Sequence, residues 1–473
     1  MRYACDRVRI LHISTRLILG GSQENTVLSC EGQARLGHDV HLAYGPIFGP
    51  EGSMLERVRG FRTGDGRGIQ THEVASLVRE VNPIKDWRCV RELGELIRRL
   101  KPDVVHTHSS KAGILGRAAG MAAYRASLRE RGINDAAKKK GDWKDVHGAT
   151  LPRPAVIHTI HGPPFMPLAG SPLLRLRRML TNRAYIAAER QAARRCHAIV
   201  SVADAMTELF LSKGIGRREQ YVTVYSGMET ERFLNAAQGE DRDSMRRLLG
   251  FSDLDIVIGT VARLAEHKGH DDLLDALGAE LKVRPNLKLL WVGDGWWRER
   301  LIDKARGMGL VVAELDDCAR RSFPSATLLP PNPLPQGGGA QILLTGLVPT
   351  ERVAAHMRAM DILAHPSYRE GLPRTVPQAL LCGVVPVAYD VDGTREACVE
   401  GKTGRLVRVG DREGLRKAVM GLVDSPGERK RLAEAGREMC RVRFSAETMV
   451  RELEGVYQRA LELAGAKSRS PSG

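Results

Sequence analysis

Residues 365–390, HPSYREGLPRTVPQALLCGVVPVAYD, read as a polar loop, a helix and a strand in direct succession. Ser367–Pro373 is the loop after a short strand. Pro373 suits the first turn of a helix, where its missing N–H is one that would have no partner anyway, and that helix is predicted to run to about Cys382. Val385–Ala388 follows as a valine-rich strand. Loop, helix and strand at this spacing form the repeating unit of a parallel α/β sheet, because the helix must carry the chain back before the next parallel strand can begin. The charge in this stretch is unevenly placed. Glu370 stands in the loop beside a glycine, and eight residues on, where a second acid would complete a pair, the chain has Gln378. The ordinary structural reading of Glu370 is a carboxylate interacting with the helix dipole, worth ~0.3–1 kcal/mol. For Gln378 it is a neutral residue on the helix surface.

The same unit recurs on both sides. Strand-like runs are predicted at Val8–Ile13, Asp39–Tyr44, Asp103–Thr107, Ala155–Ile160, His197–Val202 and Tyr221–Tyr225. A second set is predicted at Ile256–Ala262, Leu287–Val292, Ile342–Leu347, Ile362–Ala364, Val385–Ala388 and Arg405–Val407. Amphipathic stretches separate them, so the expected class is α/β with two doubly wound parallel sheets of about six strands each. A chain of 473 residues exceeds one ordinary core, and two domains of roughly 200 residues are expected. The predicted division is residues 1–234, then 235–445, with 446–473 as a closing helix that packs back on the first domain and ends in a frayed tail. The polar stretch Asn235–Ser244 is taken into the linker. Arg125–Pro154 and Ser322–Ala340 look like inserted surface loops.

Composition narrows the function. The sequence is 42% hydrophobic and 27% charged, as in a globular protein, and no apolar run approaches the ~18 residues of a membrane span. The N-terminal MRYACDRVRILHIS leads into a strand without the apolar core of a secretion signal. Eight cysteines without a C-x-x-C pair point to reduced thiols in a cytoplasmic setting, away from disulfides or a zinc site. The net charge of +16 calls for an anionic partner. With only 5% aromatic residues and no basic stretch interleaved with rings, nucleic acid is set aside; a phosphorylated small substrate or an anionic membrane face remains.

Ligands of doubly wound sheets sit at the carboxyl ends of the strands, and the chemically capable residues cluster there. Gly20 and Gly21 precede a helix whose free N–H groups could face a phosphate; the alternative is a tight turn requiring positive φ. Arg263 and Lys268 flank one strand-end loop and could grip a diphosphate, one as a fork and one as a point charge. Gly293 follows another strand. His161 ends the strand of PAVIHTIHG, and His106 and His108 end the preceding one. Strand alternation puts those two on one face. No carboxylate or cysteine joins the histidines, so no metal is assigned. The expectation is a single cleft between the domains.

Together these residues resemble the retaining nucleotide-sugar glycosyltransferases of family four. The resemblance runs from Val8 to about Ala460, through GGSQENTVLSCEGQARLGHDV, HTIHG, VYSGMETERF, ARLAEHKG, WVGDG, the long 365–407 segment and RFSAETMVRELEGVY. It implies the GT-B fold of two facing Rossmann-like domains, the first for the acceptor and the second for the donor. It also implies transfer from a nucleoside-diphosphate sugar to a glycan or lipid-linked acceptor in cell-surface polysaccharide or glycolipid synthesis. Anomeric configuration would be retained, with no cofactor and no metal.

Carried over residue by residue, His161 would contact the transferred sugar, and Arg263 and Lys268 the departing diphosphate. Glu370 would lie by the sugar hydroxyls. Gly20, Gly21, Gly293 and the amides at Leu372 and Pro373 would meet the donor, and Glu24 and His108 the acceptor side. Gln378 replaces the family's second acid, the usual ribose ligand, and Ser226 stands where Asn is common. An amide can still bridge two hydroxyls, so donor binding should weaken by about 1–2 kcal/mol without loss of transfer. Rival readings are a sugar-nucleotide epimerase of the same architecture, a phosphorylase (whose pyridoxal-phosphate lysine context is missing), and a non-catalytic nucleotide-sugar-binding subunit.

The basic excess is densest in 171–195, SPLLRLRRMLTNRAYIAAERQAARR, with seven Arg against one Glu. Leu173, Leu176, Leu180, Ala184, Ala187 and Ala188 fall at helical spacing. The ordinary reading, taken first, is a helix packed by that stripe with its arginines in solvent. The sharper one is a face that docks on anionic lipid at the inner side of the cell membrane.

Overall fold

The computed structural model describes residues 7–47, 52–130, 154–165, 171–315 and 339–465. They form two compact units, Met1–Met228 with Ala446–Gly473, and Glu229–Ser445. The chain thus changes unit at Glu229 where the sequence suggested 235. Part of the expected linker is helical: Asp241 caps Arg242–Leu248, its side chain accepting from Ser244 N at 2.9 Å.

The first unit holds β1 (Arg9–Ser14), β2 (Asp39–Tyr44), β3 (Gln70–Glu73), β4 (Val104–His108), β5 (Ala155–Ile160), β6 (Ala198–Ser201) and β7 (Tyr221–Thr223). They lie parallel in the order β3-β2-β1-β4-β5-β6-β7. The chain works outward from β1 to β3, then returns to lay β4 on the other side of β1. Both faces are covered, which is why the strands read as nearly continuous apolar runs. The helix Ala446–Leu463 packs Val450, Leu453, Val456 and Tyr457 over Ile10, Val104, Ile157 and Val200. On the opposite face, Leu93, Ile97 and Ala119 from helices Pro83–Leu100 and Ser110–Glu130 cover Leu11, Ile13 and Val105.

The second unit holds β8 (Ile256–Val261), β9 (Leu287–Val292), β10 (Val312–Glu314), β11 (Ile342–Gly346), β12 (Ile362–His365), β13 (Val385–Tyr389) and β14 (Arg405–Val407). Their order is β10-β11-β9-β8-β12-β13-β14, again parallel. Its core centres on Trp291, Leu273, Leu277, Leu289 and Leu344. Helix Thr375–Leu381 links β12 to β13, the loop–helix–strand order read at 365–390.

Among the described residues each sheet has seven strands, one more than expected. The extra pair, β3 (QTHE) and β10 (VAE), are short edge strands. An edge strand has one neighbour and little buried face, so it carries no apolar run to detect. Arg125–Glu130 belongs to the helix Ser110–Glu130, which corrects the loop expected there; 131–153 and most of Ser322–Ala340 lie outside the described residues.

The arginine-rich stretch forms the helix Pro172–Ala193, capped by Ser171. Its packing differs from the first reading. Leu173, Leu176 and Leu180 are 78%, 49% and 55% exposed, and the buried residues are Glu189, Ala192 and Ala193 near its C-terminal end. What holds that end is polar: Arg117 Nη2 donates to Glu189 Oε2 at 2.6 Å, both side chains being within 1% of full burial. Among the described residues no helix is long and apolar enough to cross a membrane.

Candidate functional site

Both sheets reverse direction at a point where neighbouring strands depart to opposite sides, β1 and β4 in the first unit, β8 and β12 in the second. At such a point the two following loops splay apart and leave a crevice at the carboxyl ends. Gly20 and Gly21 follow β1, His108 ends β4, and Arg263, Lys268, Glu370, Leu372 and Pro373 follow β8 and β12, whereas His161 follows β5, Gly293 follows β9, and Glu24 and Gln378 lie on helices.

In the second unit, β8 leads to Arg263 and Lys268, and β12 ends in His365 before the 366–373 loop. Lys268 Nζ donates to Glu370 Oε1 at 2.6 Å, and His365 Nε2 lies 3.1 Å from the same oxygen. Thr375 Oγ1 meets His365 Nδ1 at 3.3 Å, and Glu370 N donates to Asp392 Oδ2 at 2.8 Å. Burial alone would raise the Glu370 carboxyl, but the Lys268 ammonium and His365 outweigh it and hold the group well below its ordinary value. It is a carboxylate at neutral pH. His267 is pushed down by partial burial, then by Lys268, and further by Arg369 and Arg263, against the opposing Glu370. Three cations and the Glu370 carboxylate therefore act on His267, with the Asp392 carboxylate beside them.

Two glycines make the approach of these loops feasible. Gly269 sits at φ 73°, where a Cβ would lie 1.9 Å from Pro366 O, so Lys268 is tied closely to the Glu370 loop. Gly293 sits at φ 139°, where a Cβ would lie 2.1 Å from Ala262 O. Arg263 is exposed, its Cζ 5.6 Å from the Trp296 ring centroid. Tyr368 and Tyr389 both donate to Asp272 Oδ2, at 2.5 and 2.7 Å, and Arg412 Nε donates to Oδ1 at 2.8 Å, which fastens the loop from below. Leu372 and Pro373 are buried, and Gln378 is 7% exposed on its helix. The Gln378 side chain makes no hydrogen bond to any described residue. His365, Arg369, Thr375 and Asp392 escaped the sequence reading, though His365 opens the quoted stretch and a polar residue closing an apolar strand was the signal.

In the first unit, β1 and β4 carry His12, His106 and His108 on one sheet face, with His12 in register with His106. His161 follows β5 and reaches His108, Nε2 to Nδ1, at 3.2 Å. Thr15 Oγ1 and Ser109 Oγ meet at 2.8 Å, with Ser109 at φ 62°, a conformation that costs about 1 kcal/mol or more outside glycine. His108 is 1% exposed and Glu24 7%, so both are enclosed by protein. Gly20 has φ 177°. Neither it nor Gly21 is among the positive-φ residues, so the tight-turn reading fails; the backbone does not demand glycine at 20, and what the residue supplies is space. His12, His106 and His108 offer ring nitrogens within 4.8 Å of one another. All six nitrogens, however, are already hydrogen-bonded: His12 to His108 and Gln33, His106 to Tyr457 and Thr159, His108 to His12 and His161. A metal there would have to displace those bonds.

The comparisons with known proteins agree with this architecture. Residues 20–227 match the family described as glycosyl transferase 4-like domain, and 336–439 match glycosyl transferases group 1. The fold is that of the GT-B glycosyltransferases. Over 96% of this chain and 100% of its own, Anabaena HepE in complex with UDP and glucose superposes with a TM-score of 0.66 at 16% identity. Sucrose-phosphate synthase from Thermosynechococcus elongatus gives 0.67 at 16% identity, covering 98% and 100%. In sequence the chain is 26% identical over 279 residues to the GDP-mannose-dependent monoacylated alpha-(1-6)-phosphatidylinositol monomannoside mannosyltransferase of Corynebacterium glutamicum, 57% of this chain and 65% of that one. It is 32% identical over 201 residues to a D-inositol 3-phosphate glycosyltransferase of Rhodococcus erythropolis, 41% of this chain and 38% of that one. The chain thus matches less than two thirds of the length of these two relatives.

Proposed function

We propose that the protein is a nucleotide-sugar-dependent glycosyltransferase, of the retaining family-four type, in which the second unit holds the donor. The observation that carries this reading is the Lys268–Glu370–His365 cluster at the β8/β12 switch point, with Arg263 and Arg369 acting on the same region. Cleaving a sugar from a diphosphate develops negative charge on the leaving oxygens. Arg263 and Lys268 stabilise that charge without reorganising, which is why no metal is expected. Lys268 is paired with Glu370, so a phosphate at this point exchanges one anionic partner of Lys268 for another, and His365 remains as a partner for Glu370. Gly20, Gly21, Gly293 and the amides around Leu372–Pro373 are assigned to the donor, Gln378 to its ribose, and His161 to the transferred sugar, with Glu24 and His108 in support on the acceptor side.

The acceptor we assign is a glycan or lipid-linked sugar, reached at the cytoplasmic face of an anionic membrane. In support, the helix Pro172–Ala193 exposes Leu173, Leu176 and Leu180 beside exposed Arg175, Arg177 and Arg183, a pairing that suits phospholipid head groups. The test of activity is incubation with UDP-, GDP- and ADP-sugars and detection of released nucleoside diphosphate and of product stereochemistry. Turnover lost in Arg263→Ala and Lys268→Met supports the assignment. Donor binding without turnover across lipid and glycan acceptors would instead make this a non-catalytic nucleotide-sugar-binding subunit. Vesicle co-sedimentation tests the membrane: no binding to anionic vesicles at low salt removes it.

A further inference from the structure

Four side chains of the first unit are joined in a hydrogen-bonded row. His161 Nε2 lies 3.2 Å from His108 Nδ1, His108 Nε2 lies 2.9 Å from His12 Nδ1, and His12 Nε2 lies 2.7 Å from Gln33 Oε1. The row threads the β1/β4 switch point and ends on the helix Gly21–Arg35, where Gln33 is fully buried. His106 stacks on both middle rings, with centroids 5.2 and 4.2 Å away. Its nitrogens go to Tyr457 and Thr159, and Tyr457 in turn interacts with Gln33 at the end of the row.

With the Gln33 amide oxygen toward His12 and its nitrogen buried without a hydrogen-bond partner, the bonding rules fix the protons of the row. His12 and His108 are 0% and 1% exposed, and burial lowers both imidazoles, His12 to about 4 and His108 well below its ordinary value. Each is neutral at pH 7 and carries one N–H. An amide oxygen only accepts, so the His12 proton is on Nε2 and its Nδ1 is a lone pair. His108 must then donate from Nε2 and accept at Nδ1, and His161 must donate from Nε2.

We propose that Gln33, acting through His12 and His108, fixes neutral His161 as the Nε2–H tautomer and sets its ring plane, so that Nδ1 is the accepting nitrogen of the uncharged ring. Gln33, His12 and His108 are positioning residues. The consequence for chemistry rests on the assignment of His161 to the transferred sugar. An accepting Nδ1 takes a hydrogen bond from a sugar hydroxyl, whereas the opposite tautomer would present a second donor to it. The row ends on an amide that cannot take up a proton, so it orients hydrogen bonds and does not conduct protons away.

The test is the tautomer itself, read by long-range proton–nitrogen correlation in 15N-histidine-labelled protein, with His161→Gln identifying the resonances by their loss. In the wild type His161 carries its proton on Nε2; finding it on Nδ1 overturns the proposal without any substitution in the core. Gln33→Leu removes the acceptor at similar volume, and His161 then becomes a mixture of tautomers. Gln33→Glu restores an acceptor and the Nε2–H form. A His161 tautomer unchanged in a folded Gln33→Leu also overturns the proposal. Turnover follows the same order, about tenfold lower in Gln33→Leu, with donor KM little changed and with recovery in Gln33→Glu. If no nucleotide sugar is turned over at all, the glycosyltransferase reading fails while the tautomer result still decides the row.

Discussion

Lys268→Met removes the ammonium from the Glu370 site while keeping the length of the side chain. Lys268 and Glu370 are 19% and 13% exposed and 2.6 Å apart. Removing one partner of a buried ion pair costs about 3–5 kcal/mol. Here some water still reaches both groups and His365 continues to bond Glu370, so a loss of about 2–3 kcal/mol is expected at neutral pH. The pH dependence is the sharper signature. Glu370 lies below its ordinary 4.5 in the folded protein because Lys268 and His365 overcome burial. A depressed carboxyl contributes stability that is complete above the unfolded value and is lost as pH falls toward the folded one, with a limiting slope of about 1.4 kcal/mol per pH unit. With Lys268 gone, burial raises the folded value and that contribution disappears, so the gap between wild type and variant narrows as pH drops from about 5 to about 3. Urea unfolding followed by tryptophan fluorescence reads this out, since Trp291, Trp296 and Trp297 all lie in the second unit and Trp291 is buried in its core. The two units can unfold separately, so the transition assigned to the second unit is the one to fit. A cycle with Glu370→Gln should give a coupling of about 1–2 kcal/mol. An unshifted midpoint for Lys268→Met at neutral pH, or a gap independent of pH, would refute the reasoning.

Other substitutions probe the same architecture. Gly269→Ala sets a side chain at φ 73° against Pro366 O; strain and clash together should cost about 2–4 kcal/mol in unfolding of the second unit, and donor KM should rise because the Glu370 loop is displaced. Gln378→Glu should lower donor KM roughly five- to thirtyfold if a ribose lies there, and a steady-state assay showing no change or a rise would mean the amide serves another contact. Arg117→Met leaves Glu189 buried without its ion-pair partner, costing about 3–5 kcal/mol, visible as a lower melting temperature of the first unit and early proteolysis at the helix Pro172–Ala193.

Much of this was readable from the sequence, and the limits of that reading have physical causes. Interior strands such as Ala155–Ile160 and Leu287–Val292 were readable to the residue because both faces are buried and the runs are mostly apolar, broken only by His158 and Thr159 in one and Lys288 in the other. β3 and β10 were not, because an edge strand needs no apolar face. Lys268 and Glu370 could be named individually, but their salt bridge depends on how closely Gly269 lets two loops approach across 102 residues of chain, which no local pattern encodes. His12 and Gln33 were missed for the opposite reason. A lone histidine in RILHIS reads as a core residue, and its role appears only when the β1/β4 register lays it beside His106. The exposed leucines of Pro172–Ala193 misled the reading because helical spacing gives a stripe whether or not anything covers it.

The two switch points use their polar groups in contrasting ways, and the contrast follows the charge each would handle. At β8/β12 the groups are ionised. Arg263, Lys268 and Arg369 all act on His267, and Glu370 is held as a carboxylate, an excess of positive charge suited to a diphosphate that gains charge as the sugar leaves. At β1/β4 burial keeps His12, His106 and His108 neutral, so the row can define donors and acceptors without adding a charge that would draw phosphate to the wrong place. A hydroxyl-bearing sugar needs directional hydrogen bonds; a leaving diphosphate needs field strength. Gln33→Glu separates orientation from charge: the variant keeps the His161 tautomer and its turnover, inhibition by free nucleoside diphosphate should stay at the wild-type level as long as His12 remains neutral, and a marked change in that inhibition would show that the row exerts charge as well as orientation.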